Sequence, residues 1–387
     1  MAVLHRQGAK VAGALINMDY AATAALRPQA LEAMLPYFAG CFANASGSYG
    51  AAREARAAID RARTQVAQAI GAKPSEIFFT SGGTESDNWA IRGGCGAESY
   101  ERRRIAVSRV EHHAVLRTCE ALAAHGSEIA WLDVDRTGRV CLEQAERVIT
   151  PGTSLVSVML ANNEVGTIEP VAALAEIAHR NGALMHTDAV QAVGHIPVDV
   201  RVLGVDMLSM SAHKFGGPKG IGALFVREGV RIGGFMLGGA QERGLRAGTE
   251  NTPGIIGMGA ALEAAVREMD DTAKRLSALR DMLAERVLGL PGVRVNGAQD
   301  GRLPGCLHLS IRNMDSSLLL ARLDMEGIAA SAGSACASGA LERSHVLRAM
   351  YPEEVGGEWA DLRLTLGAEN TEADVLAVAA ALGRILA

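Results

Sequence analysis

A lysine at the end of an apolar segment is the residue in this sequence with the clearest chemical potential. The chain has only five lysines, and Lys214 comes shortly after the apolar residues 207–210, with Ser-Ala-His at 211–213 between, and precedes Phe-Gly-Gly-Pro at 215–218. A lysine that loses solvation at such a position has a lowered pKa, which suits Schiff-base chemistry. A structural lysine at a strand end fits the position equally well.

A glycine-rich turn supplies a second candidate. The sequence Thr-Ser-Gly-Gly-Thr-Glu at residues 80–85 follows an apolar segment at 77–79 and opens a helical pattern. Free backbone N–H groups at a helix start, with hydroxyls and glycines beside them, form a cup for a phosphate group. An ordinary glycine-rich turn with a threonine cap is the alternative.

A carboxylate and a histidine follow two further apolar segments. Asp188 comes after residues 183–186, with Gln191 three residues on, and His112 comes after residues 105–110. A carboxylate such as Asp188 can keep the pyridine nitrogen of pyridoxal phosphate (PLP) protonated, and Gln191 suits the phenolic oxygen of that ring. Asp188 also fits a helix N-cap. A lone histidine is more often structural than catalytic, and the neighbouring His113 leaves the choice between the two open.

One of the six cysteines has an unusual setting. Cys336 lies in Ser-Ala-Gly-Ser-Ala-Cys-Ala-Ser-Gly at residues 331–339, where eight of the nine residues are Ser, Ala or Gly. Such a loop leaves the thiol accessible and can move, as delivery of a sulfur atom requires. A flexible linker with an accidental cysteine is the alternative. The other five are scattered without a Cys-x-x-Cys pair, and we expect packing residues there, not disulfides or a zinc site.

These candidates must be positioned by an alternation of strands and helices. Apolar segments predict strands at residues 77–79, 105–110, 129–134, 155–160, 183–186, 207–210 and 223–226, and periodic patterns predict helices at 54–70, 85–91, 114–124 and 171–181. The alternation is typical of βαβ units and a mostly parallel sheet covered on both faces. Ligands bind at the carboxyl ends of such strands. Polar clusters at 111–113, 162–164, 187–188 and 211–214 therefore predict one polar site at one edge of the sheet.

The pattern changes near Thr-Pro-Gly at residues 252–254. A long helix is predicted at 255–288, then an α+β region with a strand at 307–311, a helix at 316–326 capped by Asp315, and a last helix that starts with a capping box at Thr371. The predicted domains are a large one at residues 19–255 and a small one at 1–18 and 256–387, which carries the cysteine loop at about 330–340.

Composition narrows the class of function. Hydrophobic residues make up 49% of the chain, the net charge is −5 and no long basic run occurs, so nucleic acid is not an expected partner. No stretch is long enough to predict a membrane span. The apolar residues 11–16 are too few for a secretory signal and predict a strand instead. We therefore expect a cytoplasmic protein.

Taken together, the motifs resemble the cysteine desulfurases of the class V aminotransferase group, in their NifS/IscS-like subgroup with a mobile catalytic loop. The matching motifs extend over nearly the whole chain: Thr-Ser-Gly-Gly-Thr-Glu-Ser-Asp-Asn at 80–88, Asn-Asn-Glu-Val-Gly at 162–166, His-Thr-Asp-Ala-Val-Gln at 186–191, Ser-Ala-His-Lys at 211–214, Arg-Ala-Gly-Thr at 246–249 and the Cys336 loop. The resemblance implies the α/β PLP-dependent transferase fold type I. In it, a mostly parallel seven-stranded sheet is flanked by helices and joined by a smaller α+β domain.

The resemblance also implies the residues that hold the cofactor. Lys214 would attach PLP covalently, Asp188 would pair with its pyridine nitrogen, and His112 would stack on its ring and move protons. The other implied contacts are Gln191 and Asn163 near the phenolic oxygen and substrate, and Gly83, Thr84, Ser211 and His213 at the phosphate. Thr249 would reach the phosphate of the neighbouring subunit, which implies a homodimer.

The implied reaction converts L-cysteine to L-alanine. Arg363 would clamp the substrate carboxylate, and Cys336 would receive the sulfur as a persulfide for an acceptor such as an iron–sulfur scaffold, a sulfur carrier or a tRNA-thiolation protein. Selenocysteine lyase is an alternative. An aminotransferase has no use for Cys336, and a non-catalytic scaffold subunit would be expected to lack Lys214 or Cys336. The family often has Asn-Pro-Ser-Ser-x-His where this chain has Ala45 and Tyr49, which leaves substrate approach and the preferred acceptor open.

Overall fold

The computed structural model describes residues 15–94, 103–333, 343–354 and 359–387. Within them the strands are β1 (Ile16–Asn17), β2 (Ile77–Thr80), β3 (Arg104–Ser108), β4 (Glu128–Leu132), β5 (Thr153–Ser157), β6 (Leu184–Asp188), β7 (Met207–Ser211), β8 (Gly222–Val226), β9 (Val293–Asn296), β10 (Cys306–Arg312), β11 (Ile328–Ala329) and β12 (Trp359–Thr365). The α-helices are α1 (Pro28–Met34), α2 (Pro36–Ala39), α3 (Gly50–Ala69), α4 (Gly83–Gly94), α5 (His113–Ala124), α6 (Leu142–Val148), α7 (Val171–Arg180), α8 (Val200–Leu203), α9 (Thr252–Val287), α10 (Ser316–Met325), α11 (His345–Met350) and α12 (Glu372–Leu386). Cys336 and most of the strand predicted at 11–16 lie outside the described residues.

Seven strands form the central sheet in the order β2-β8-β7-β6-β5-β3-β4. The neighbouring pairs from β7 to β4 are parallel, and β8 is antiparallel to both β7 and β2. The predicted mostly parallel seven-stranded sheet is therefore confirmed. Each of its strands coincides with a predicted apolar segment, with ends shifted by no more than three residues.

Both faces of this sheet are covered by helices. On β7, Met207 packs in a cluster with Trp89 of α4 and Val115 of α5, whereas the next residue, Leu208, packs in a cluster with Ile59 of α3. Successive side chains of a strand point to opposite faces. Because both faces are apolar, each strand reads in the sequence as a continuous apolar run, not as an alternation.

The strand order brings the predicted polar clusters together. Strands β3, β5, β6 and β7 are consecutive neighbours and run in the same direction, so their carboxyl ends lie along one edge. The four predicted polar clusters follow these four strands in the chain. One polar site at this edge is therefore the arrangement that the topology produces.

A second sheet contains three antiparallel strands in the order β12-β10-β9. Its apolar side chains form a separate core with α10 and α12, which includes Leu307, Leu323 and Leu382. The 36-residue helix α9 joins the two cores, since Met258 packs in the first and Leu283 in the second. The division into domains near residue 255 stays a prediction.

The predicted helix caps are present. Asp315 accepts a hydrogen bond from the backbone N–H of Leu318, and Thr371 forms a capping box with Asp374. The packing role predicted for the cysteines holds for Cys119 and Cys306, which are buried, and is wrong for Cys141, which is exposed just before α6. None of the helices in the described ranges is long and apolar enough to cross a membrane.

Candidate active site

The glycine-rich turn after β2 opens helix α4 beside a pocket at the predicted edge of the sheet. Gly83 and Thr84, the first two residues of α4, line this pocket. A Cβ atom on Gly83 would lie 2.6 Å from Cγ2 of Val190, so only glycine fits there without movement. The first N–H groups of a helix have no partner within the helix, and the helix dipole favours an anion beside them. The turn therefore offers the donors that a phosphate group requires.

Two residues at the end of β7 add polar groups to the pocket. Ser211 ends the strand, His213 follows in a short 3₁₀ turn, and both line the pocket. The Nδ1 atom of His213 lies 3.1 Å from the hydroxyl of Thr23, and burial lowers the pKa of His213 to about 4. The imidazole is therefore neutral at physiological pH and can serve an anion as a hydrogen-bond partner rather than as a cation.

Lys214 lies in the same turn and contacts the N-terminal segment of the chain. Its Nζ donates hydrogen bonds to the carbonyl oxygens of Ala21, at 2.6 Å, and Ala22, at 3.0 Å. Gln191 donates to the same oxygen of Ala21 at 3.1 Å. The pocket is lined by both donors and both alanines, so the two carbonyl groups hold the lysine at the pocket wall.

Asp188 ends β6 and is almost fully buried. Its Oδ1 accepts a hydrogen bond from the backbone N–H of Val190 at 2.9 Å. Burial raises the pKa of Asp188 to about 6, although the Val190 N–H and the positive charge of Lys214 oppose the rise. The residues after Asp188 form turns, not an α-helix, so the helix N-cap interpretation of this residue is wrong.

The structure separates the two adjacent histidines. His112 is the N-cap of α5, its Nδ1 accepts the backbone N–H of Ala114 at 3.1 Å, and its ring lines the pocket. His113 instead lies with its ring centroid 4.8 Å from that of His345. Burial lowers the pKa of His112 to about 4. Since Nδ1 accepts a bond, the single proton of the neutral ring lies on Nε2.

Arg363 reaches the pocket from β12 of the second sheet. Its side chain is buried, Nη1 donates to the carbonyl oxygen of Asn163 at 2.9 Å, and Nη2 donates to Asp19 Oδ1 at 2.7 Å. Its Nε has no hydrogen-bond partner among the described residues. A buried guanidinium with an unused donor next to the lysine and the anion cup suits a carboxylate.

Comparisons with known proteins agree with this geometry. The family model of Aminotransferase class-V matches residues 16–378. The chain belongs to this family. Cysteine desulfurase IscS of Clostridium botulinum is 45% identical over 375 residues, which are 96% of this chain and 94% of the relative. Cysteine desulfurase IscS of Dictyoglomus turgidum is 48% identical over 362 residues, which are 93% of this chain and 91% of the relative. A solved structure of a NifS-like protein matches with a TM-score of 0.90 and 37% identity, covering 96% of this chain and 99% of that one.

These matches confirm the predicted class V family, the fold type and an enzyme. The pocket of this class V enzyme gathers nearly all of the predicted site residues: Gly83, Thr84, His112, Asn163, Asp188, Gln191, Ser211, His213, Lys214 and Arg363. Thr249 is exposed and is not among the lining residues. The predicted role of Cys336 falls outside the described residues.

The sequence analysis did not single out Asp87, which also lines the pocket. It lies on α4, four residues or about one helical turn after Gly83, and is almost completely buried. The sequence feature that could have identified Asp87 is its position in the motif at residues 80–88, about one helical turn after the glycine-rich turn. Its neighbours Thr84, Glu85, Ser86 and Asn88 are also polar, so the sequence does not indicate which of these side chains is buried.

The donor set of this pocket fits PLP. The cofactor needs an anion cup for its phosphate, a carboxylate for its pyridine nitrogen and an amine for its aldehyde. The turn at Gly83, the buried carboxyl of Asp188 and the amine of Lys214 supply one of each within a single pocket.

Proposed function

We propose that this class V enzyme is a PLP-dependent cysteine desulfurase. It converts L-cysteine to L-alanine and leaves the sulfur as a persulfide on Cys336. The observation that carries the proposal is that Lys214, Asp188 and the Gly83 turn line one pocket in a chain whose relatives are named cysteine desulfurases. Selenocysteine remains a second substrate to compare, since it differs from cysteine only by a selenium atom in place of the sulfur.

In this proposal, PLP is held by Lys214 at its aldehyde carbon, by Asp188 at its pyridine nitrogen and by the Gly83–Thr84 turn with Ser211 and His213 at its phosphate. When bound, the cofactor supplies an electron sink for the carbon atoms next to the substrate amino group. Asn163 and Gln191 lie at the same pocket and are assigned to the phenolic oxygen and the substrate.

Arg363 is assigned to the substrate carboxylate. A guanidinium can bind a carboxylate with two parallel hydrogen bonds, and burial strengthens such a pair because water does not compete. Two such bonds are available from Nε, which has no partner among the described residues, and from the second N–H of Nη2, so the bond from Nη2 to Asp19 can be kept. The residue therefore orients the substrate while keeping its tie to Asn163.

Proton movement is assigned to Lys214 and His112. The amine of Lys214 would take the proton from the substrate α-carbon. His112 presents the N–H of Nε2 because its Nδ1 accepts the N–H of Ala114. The neutral ring can therefore donate a hydrogen bond to a group in the pocket, and it passes on a proton only after it has taken one up.

Sulfur transfer is assigned to Cys336. Its thiolate forms a bond to the substrate sulfur while the carbon–sulfur bond breaks. The electron pair of the broken bond stays on the carbon side and takes up a proton, which gives alanine. The persulfide then passes to an acceptor protein, an iron–sulfur scaffold or a sulfur carrier, in the cytoplasm.

A homodimer is part of the proposal, with Thr249 reaching the phosphate of the partner's cofactor. Exposed apolar side chains support it: Phe42 is 78% exposed and Leu237 is 86% exposed, and Leu35 and Phe38 are exposed as well. Side chains of this kind are characteristic of surfaces that subunits cover. Thr249 is exposed too, and the preceding Gly248 donates its N–H to Gln241.

The proposal is tested by locating the sulfur. Purified protein with PLP is incubated with L-cysteine, persulfides are trapped with an alkylating reagent, and the cysteine peptides are analysed by mass spectrometry. We expect one added sulfur atom on the Cys336 peptide and none on the peptide of the exposed Cys141. Equal labelling of both peptides, or labelling that persists in Lys214→Ala, would contradict the proposed transfer of the substrate sulfur to Cys336.

A further inference from the structure

Three acidic side chains are buried in or beside the base of the pocket. Asp87, Glu111 and Asp188 are between 0% and 5% exposed. Polar atoms of Asp87, Asp188 and His112 all lie within 4.8 Å of one another. Ionised carboxylates of Asp87 and Asp188 this close would repel each other strongly in a medium that screens poorly, and the charge of Glu111 would act on both. The three acidic side chains are therefore not all ionised at neutral pH.

Among the residues that the structure describes, those that face Asp87 carry no positive charge. From α4 it faces His186 on β6, whose Nε2 lies 3.7 Å from Asp87 Oδ1, and the hydroxyl of Ser209 on β7. Both nitrogens of His186 are already near hydroxyl groups, with Ser157 at 2.9 Å and Ser209 at 3.0 Å. Burial lowers the pKa of His186 to about 3, so this ring is neutral.

The Oδ1 atom of Asp87 has no hydrogen-bond partner within the part of the chain that the structure describes. A buried charged oxygen without a partner is costly, by several kcal/mol or more. Burial, followed by the negative charge of Asp188, raises the pKa of Asp87 well above its usual range. Asp188 differs, because Lys214 and the N–H of Val190 stabilise its charged form.

We infer that Asp87 is a positioning residue, held as a neutral carboxylic acid that donates a hydrogen bond to Asp188 and leaves Asp188 as the carboxylate for the cofactor's pyridine nitrogen. This inference rests on the proposed function, since it assigns Asp188 to PLP. Protonation makes the unpartnered oxygen of Asp87 a hydrogen-bond donor, and Asp188 provides the acceptor. Glu111 is also neutral in this arrangement, since burial raises its pKa, although the N–H of Met159 that its Oε1 accepts opposes the rise.

Asp87, His112 and Asp188 could together be taken for a metal site. Metal ligands must be deprotonated, however, and Asp87 is held as a neutral acid in this arrangement. The Nδ1 atom of His112 is already engaged with Ala114. The arrangement therefore favours a shared proton over a cation, and a metal titration belongs to the test.

The test compares Asp87→Asn, which keeps a neutral donor of the same shape, with Asp87→Leu, which removes it. We measure the dissociation constant for PLP and the pH titration of the visible absorption band of the bound cofactor. The expected result is rescue: Asp87→Asn stays within about threefold of the wild type in affinity, whereas Asp87→Leu is weaker by about tenfold or more, which corresponds to about 1.4 kcal/mol. In Asp87→Leu the titration of the band also shifts, and in Asp87→Asn it does not.

A second measurement does not depend on PLP. A carboxyl with a raised pKa binds its proton more tightly when folded, so its contribution to stability falls as the pH rises from the unfolded value of 3.8 to the folded value. Urea unfolding of the apoprotein should therefore show Asp87→Asn gaining stability relative to the wild type between pH 5 and pH 8. A loss of stability in Asp87→Asn at pH 8 would mean that Asp87 is charged, and the inference would be wrong.

The outcomes separate the inference from the proposed function. If the wild type does not bind PLP, the proposed function fails, while the unfolding comparison still reports the protonation of Asp87. If the wild type binds PLP and Asp87→Asn is as defective as Asp87→Leu, the neutral-donor role fails. Tight binding of Zn²⁺ by the apoprotein that is lost in Asp87→Asn would also overturn it, in favour of a metal site.

Discussion

The Nζ atom of Lys214 donates a hydrogen bond to the carbonyl oxygen of Ala21 at a distance of 2.6 Å. The contact joins the turn after β7 to a segment almost two hundred residues earlier in the chain. It holds the amine in the pocket beside Asp188 and the Gly83 turn. A lysine on a flexible surface loop would lose this placement, because its four-carbon side chain has many rotamers.

Removal of this amine should abolish stable retention of the cofactor. We expect Lys214→Ala to lose PLP on gel filtration, because the covalent link is absent, and to lose activity by at least about 100-fold, because no base replaces the amine. Bound PLP is measured by its absorbance after denaturation. The matched control is Lys219→Ala, an exposed lysine five residues later, which should retain the cofactor as the wild type does.

His112 can be tested without loss of its helix cap. His112→Asn keeps a side-chain acceptor at the N-cap of α5, where asparagine is favoured, but removes the imidazole N–H. We expect kcat to fall by about 10²–10⁴-fold with an unchanged melting temperature. His113→Asn, whose ring faces His345 instead, should retain most of the activity. Equal losses in both variants would remove the case for a specific role of His112.

Arg363 should determine affinity for the substrate carboxylate. Arg363→Lys keeps the charge but loses the planar pair of donors, so we expect the KM for L-cysteine to rise by about tenfold or more, with a smaller change in kcat. The control is Arg312→Lys on the neighbouring strand β10, whose side chain is exposed. Unchanged steady-state kinetics in Arg363→Lys would show that another group binds the substrate carboxylate.

Glu169 gives a prediction about stability and pH. It is buried away from the pocket, its Oε2 accepts the N–H of Val140 at 2.8 Å, and burial raises its pKa to about 8. The folded state therefore holds this proton more tightly than the unfolded state, and stability falls as the pH rises from 4.5 to about 8. Glu169→Gln removes this loss while keeping the acceptor.

The free energy of unfolding should therefore shift in favour of Glu169→Gln between pH 5 and pH 8, by about 3–4 kcal/mol, given about 1.4 kcal/mol per pKa unit. Urea titrations at both pH values measure it. Glu146→Gln, in an exposed pair with Arg180, should follow the wild type at both pH values. A variant that loses stability at pH 8 would contradict the raised pKa.

The central sheet was predictable because its strands are buried on both faces and read as apolar runs. Strand β12 was not predicted, because Asp361 and Arg363 alternate with Leu362 and Leu364 inside it, and two buried charges interrupt the apolar pattern. Arg363 entered the sequence analysis through the resemblance alone. The contacts that bury it, with Asp19 and the carbonyl of Asn163, join segments about 340 and 200 residues away.

Asp87 illustrates the same limit within the site. Its helix begins with Gly-Thr-Glu-Ser-Asp-Asn, a composition that indicates a solvated face, yet this face turns toward the pocket and the ends of β6 and β7. Only the packing of α4 against the sheet reveals which polar side chains are buried. The choice between His112 and His113 also required the structure. The sequence shows two adjacent histidines at the start of α5 but does not indicate which side chain lines the pocket.

The most direct test of the account is the release of alanine from L-cysteine in the presence of a reductant, for the PLP-bound wild type, Cys336→Ala and Cys141→Ala. The account predicts release by the wild type and by Cys141→Ala, and its loss in Cys336→Ala, because the substrate sulfur then has no acceptor thiol. Release by Cys336→Ala at the wild-type rate would contradict sulfur transfer to this cysteine and would indicate that another thiol, such as that of a thiol reductant, takes the substrate sulfur.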